Sequence, residues 1–189
     1  DMDSLRHLPA LLVMRSLGLI ALKADRHDLL MAMLTQATWR PRFGGQDRDP
    51  AHGVLTEYYV LDGVANELPM WAGGKWIYAP SHFLRHVLRE PLRGYFDDES
   101  YESTSDLYEF CLSLLAVSTR KGRVMPGEFV LDGRWDWERT EPSAAQTFRD
   151  LAGRASETWA WWKVLGPPEG LEQHITAVSE ALKPLRAWR

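Results

Sequence analysis

The sharpest chemical spacing in the chain is HisPheLeuArgHisValLeuArgGlu, residues 82–90. On a helix, His82, His86 and Glu90 climb one face in steps of four. Imidazoles at i and i+4 can share a divalent metal ion, and a nearby carboxylate can complete three ligands. Three ligands over two full turns span about 12 Å, too far for one ion. Only His82 with His86, or His86 with Glu90, can therefore act together, and further ligands must come from elsewhere. The first histidine also lacks the following glutamate that a zinc-protease helix uses as general base. His82 and His86 stand as a candidate metal pair, with a solvated polar face as the preferred reading.

Beside them run Arg85, Arg89 and Arg93, also four apart and opposite Phe83, Leu84, Val87 and Leu88. Such a ridge can receive a phosphate or a carboxylate-bearing partner. Pairing with the acidic 97–109 region, or plain exposure, is the commoner fate of such a face. The second candidate is aromatic. Trp71 and Trp76 flank GlyGlyLys, ending in Lys75, and Trp135 and Trp137 bracket Asp136 on one side of an expected strand. These loops could stack a base or a cation, although filling a satellite core is the usual work of large aromatics.

Other templates fail. GxSxG, GxxxxGK[ST] and GxGxxG are absent from the sequence. The one cysteine, Cys111, cannot form an internal disulfide and sits among apolar neighbours, as a small buried group in a reducing compartment would. A net charge of -4 argues against a generally nucleic-acid-binding surface, so nucleic acid stays an alternative partner through the arginine stripe alone.

The elements that must position these residues are mostly helices. Leu8–Leu22 is apolar on nearly every side, interrupted by Arg15 and Ser16. It is shorter than the roughly 20 residues of a membrane span, and LysAlaAspArg follows it rather than a cleavage site. It therefore reads as the central core helix of a domain expected in the cytoplasm. A second helix follows from Asp28 to Ala37. The pair, with Leu17, Gly18, Ala21, Leu34, Ala37 and Pro41, partly resembles a tetratricopeptide hairpin; Leu30 departs from that pattern and no second copy follows.

Further helices are expected over Ser81–Tyr95, Asp106–Thr119, Thr140–Lys163 and Gly170–Trp188, with 97–105 as an acidic link. Val54–Leu61 and Glu128–Trp137 read as short strands of a small two- or three-stranded β element. The expected fold is mainly α, with about six helices around Leu8–Leu22, in one α-rich domain over residues 1–189. The start at Asp1 fits a domain cut from a longer chain, or a true start at Met2 after a tag remnant.

The segments LeuLeuValMetArgSerLeuGlyLeuIleAlaLeu, 11–22, and HisValLeuArgGluProLeuArgGlyTyrPhe, 86–96, resemble accessory helical regions of large bacterial multidomain signalling or phage-defence proteins. That resemblance implies a sensing or partner-binding part whose catalytic domain lies elsewhere. The expected function is a non-enzymatic interaction or sensor domain, without cofactor or membrane, that binds a protein partner or a small ligand. The alternatives are a metal-dependent hydrolase using His82 and His86, and a nucleic-acid or phosphate-binding module using Arg85, Arg89 and Arg93.

Overall fold

Helix α1, Leu8–Lys23, starts with proline in its first turn and carries a long apolar run. Its end is a Schellman turn. The Asp25 N–H donates to the Leu22 carbonyl at 3.1 Å and the Arg26 N–H to the Ala21 carbonyl at 2.8 Å. That geometry requires a left-handed residue at position 25, and Asp25 supplies it with φ 55°. The chain then reverses into α2, His27–Gln36, which packs on α1 as an antiparallel hairpin.

These observations come from a computed structural model that describes residues 5–39, 49–50, 56, 60–61, 64, 78–119, 124, 127–130 and 142–186. After α2, Thr38–Trp39 pairs antiparallel with Asp49–Pro50. Helix α3 runs over Ala79–Leu92, and Pro91 sits in its last turn without ending it early. Helix α4 spans Asp98–Thr119. Helix α5, Ser143–Arg154, a short α6, Trp162–Leu165, and α7, Leu171–Arg186, complete the chain. The mainly helical class holds, and among the described residues no helix is long and apolar enough to cross a membrane.

The hub is α4 rather than α1. Helix α4 packs against α1, α5, α6, α7 and the 3-10 turn Glu128–Val130, and its buried side chains run from Tyr101 to Ala116. Helix α1 occupies a flank, with Leu11, Met14, Leu19 and Leu22 buried but Val13 and Leu17 more than half exposed. Gly18 brings the two helices together, because a Cβ there would collide with the Tyr108 ring. Helix α7 buries Leu171, Ile175, Val178 and Leu182, the stripe its periodicity predicts.

Two expected boundaries and one expected element are corrected. The acidic 97–105 stretch is largely the first turns of α4, since Asp97 accepts the Ser100 N–H at 2.7 Å as an N-cap and Tyr101 is buried. The expected Thr140–Lys163 helix stops at Arg154, where Ala155 turns extended with ψ 146°. Trp159, Trp161 and Trp162 cannot all point inward from one helix at about 100° per residue, and the break buries Trp161 completely. The small β element expected from Val54–Leu61 and Glu128–Trp137 is not supported at the described residues 56, 60–61 and 128–130, and the rest of both segments lies outside the described residues. The Val60 N–H donates to the Thr56 carbonyl at 3.0 Å, a helical bond, and Glu128–Val130 forms a 3-10 turn. In that turn the Phe129 N–H goes to the Glu109 carboxylate at 3.3 Å instead of to a ladder. The only pairing among the described residues is the two-residue bridge at Thr38–Trp39, too small to be the expected hairpin.

Candidate functional site

Two constellations of charged or polar side chains stand out, one internal and one at a cleft. The internal one centres on Glu109 of α4, buried between α1 and α3. Its Oε1 accepts from Ser81 Oγ at 2.6 Å, from Arg85 Nε at 3.2 Å and from Arg15 Nη2. Its Oε2 accepts from Arg85 Nη2 at 2.6 Å and from the Phe129 N–H. Burial alone would raise its pKa, but the Arg85 and Arg15 guanidinium groups outweigh that and hold it down to about 2. Gly127 has no side chain because a Cβ there would run into this carboxylate. With donors on both oxygens, Glu109 acts as a clamp tying α1, α3 and the 3-10 turn to α4.

This clamp decides the fate of the arginine stripe. Arg85 lies inside rather than on the exposed ridge expected of it. Besides Glu109 it contacts Asp106 at 2.8 Å and Glu102 at 3.1 Å, because those carboxylates line the α4 face beneath it. Arg89 is part-exposed, with Asp98 at 2.7 Å and Glu102 as its partners and its guanidinium 5.1 Å from the Tyr101 ring centre. Arg93 is exposed and faces Glu90 at 3.7 Å. His82 is half-buried and His86 exposed. Among the described residues, no third histidine, cysteine, aspartate or glutamate joins them in a group able to hold a metal. Trp71, Lys75, Trp76, Trp135 and Trp137 lie outside the described residues.

The second constellation is a half-open cleft of ≈ 630 Å³. One wall is the α1–α2 turn, with Asp25, His27 and Asp28; the other is the end of α5 and the following connection, with Arg154, Ser156, Thr158 and Trp159. Glycine is the usual residue at the turn's left-handed position, and aspartate is among the few side chains that also adopt it. Asp25 holds it here, and its Oδ1 lies 3.2 Å from His27 Nε2.

His27 is buried, and its other nitrogen, Nδ1, accepts the Trp161 indole N–H at 3.2 Å. That bond requires a lone pair on Nδ1, so the neutral ring carries its proton on Nε2 and donates it to Asp25. The His27 ring also stands edge-on to Trp159, at 5.2 Å between centres. Trp159 is fixed further by Phe148 at 5.5 Å and Trp162 at 5.1 Å, while Phe148 packs on Trp161 at 5.0 Å. Among the described residues Phe148, Trp159, Trp161 and Trp162 thus form an aromatic cluster, which Phe110 extends at 6.0 Å from Phe148.

Burial pushes the His27 imidazole below its ordinary value, and the Asp25 carboxylate only partly opposes this. The folded state then binds fewer protons than the unfolded one just below pH 6.5. Stability is full above that value and falls as pH drops toward the folded pKa. Urea unfolding at pH 7.5 and 5.5 is expected to show a smaller acid loss in His27→Asn, whose amide oxygen can replace Nδ1, than in the parent. Equal losses in both chains would contradict this.

Sequence reasoning singled out neither Asp25 nor His27, and placed Trp159 inside a helix. The available signals were an aspartate where a helix ends without glycine, and three tryptophans within four residues. No family model, no curated protein and no solved structure matches this chain.

Proposed function

We propose that this chain is a non-enzymatic helical sensor domain that binds a small organic ligand in the cleft between the α1–α2 turn and residues 151–160. The observation that carries the proposal is the convergence of Asp25, Arg154, the Ser156 and Thr158 hydroxyls and the Trp159 ring on one cavity. Its volume falls within the range of small-molecule sites, about 300–1,000 Å³. The chemistry of the cleft favours binding over turnover. A general base needs a lone pair facing substrate, and His27 commits one nitrogen to Trp161 and the other to Asp25. Ser156 Oγ and Thr158 Oγ1 lie 3.0 Å apart and bond each other, with no base between them. Such a domain suits the accessory role in a larger bacterial protein that the sequence resemblance implies.

A thermal-shift screen of common metabolites tests this. A ligand held only by the folded state stabilises it by about 2.7 kcal/mol at a hundredfold excess over Kd, which raises Tm by several degrees. Thr158→Trp, which fills the cleft from an exposed position, is expected to abolish each such shift. Shifts that persist in Thr158→Trp would overturn the cleft as the site, and turnover of any hit would overturn the non-enzymatic reading.

A further inference from the structure

We infer that the ligand of this cleft is a zwitterion with an apolar side group, the chemistry of a free amino acid or a short peptide; this rests on the cleft being the binding site. The two walls carry opposite charge. On the turn, Asp28 is already matched, because Arg26 Nε and Nη2 donate to its two oxygens at 2.9 and 2.7 Å. Asp25 is different. His27 lies 3.2 Å from its Oδ1, and the side chain is 82% exposed, which leaves the carboxylate accessible to a further donor. His27 is neutral because the Trp161 N–H occupies Nδ1, so it cannot cancel that charge.

On the opposite wall, Arg154 is exposed, and its Nε donates to the Asp150 carbonyl of its own helix at 3.0 Å. That bond fixes the stem of the side chain and leaves the two Nη groups of the fork for an acceptor. The same cleft is lined by the apolar side chains of Leu22, Leu151, Ala155 and Ala160 and by Trp159. A simple cation would meet Arg154 without a partner for it, and a phosphate or other anion would be repelled by Asp25. An ammonium on Asp25 beside the Trp159 ring, with a carboxylate on Arg154, satisfies both walls and seats an apolar group against the aliphatic residues.

Calorimetric titration of the full 189-residue chain with l-leucine, l-phenylalanine, leucinamide and N-acetylleucine tests the inference. The two zwitterions are expected to bind at least tenfold tighter than either single-charge analogue. Asp25→Asn, which tolerates the left-handed backbone, is expected to weaken leucine and leucinamide about tenfold and leave N-acetylleucine unchanged. Arg154→Gln is expected to weaken leucine and N-acetylleucine and spare leucinamide. An analogue that binds as tightly as leucine would overturn the inference, as would no binding of any of the four at millimolar concentration. If other metabolites still bind in a Thr158→Trp-sensitive way, the zwitterion fails and the cleft stands. If nothing binds there, both fail.

Discussion

Replacing Glu109 by glutamine is expected to destabilise the fold by about 3–5 kcal/mol, the cost of breaking a buried ion pair from one side. The amide keeps the shape of the carboxylate but leaves Arg15 and Arg85, both under 5% exposed, facing a neutral group. The same substitution changes the acid limb. Glu109 titrates near 2 in the folded chain against 4.5 for the free side chain. Its contribution is therefore complete above pH 4.5 and is lost as pH falls from there toward 2. That interval amounts to about 3 kcal/mol at 1.36 kcal/mol for each pH unit. Urea midpoints measured across this window are expected to fall steeply in the parent and much less in Glu109→Gln. Equal slopes would place the acid sensitivity on other carboxylates.

Trp161→Ala is expected to cost about 3–5 kcal/mol, as for other fully buried large aromatics. Trp161 has no exposed surface, and its loss opens a hole beside Phe148 and removes the donor that fixes the His27 ring. Trp161→Phe separates these effects. It keeps most of the packing and deletes only the indole N–H, so about 1–2 kcal/mol is expected from leaving Nδ1 of a buried imidazole without that donor. If the proposed function holds, both variants also weaken ligand binding, because Trp159 and Asp25 take their positions from this cluster. Trp161→Phe with unchanged stability would show that water replaces the indole.

The helices most legible in the sequence were those whose burial follows a simple apolar period. Helices α1, α2 and α7 lie close to where leucine and isoleucine spacing puts them, because one face of each meets a core. Helix α4 was legible only in its second half. Its opening turns are acidic and polar, and they become helical through the Asp97 cap and the cations across from them, which no single-segment pattern contains. Arg15 was read as an interruption of an apolar helix. It lies one turn from Leu11 and from Leu19, on the face that meets α4, so its charge required a buried carboxylate from elsewhere. The cleft was illegible for a related reason. Asp25 and Trp159 are far apart in sequence and line one cleft because α5 ends early, and the aspartate's backbone conformation is invisible in composition. The His82–His86 spacing, by contrast, was fully legible, yet periodicity says nothing about which other side chains arrive beside it.

Cys111 gives this fold an internal clock. It is the chain's one cysteine, fully buried in the middle of α4, and burial pushes its thiol well above the ordinary value. A thiol in that state reacts with disulfide reagents only after the surrounding helices have separated. Its labelling rate in native buffer would therefore count global opening events one molecule at a time. Labelling would respond to the Glu109 and Trp161 substitutions through the same opening, and a bound ligand would slow it.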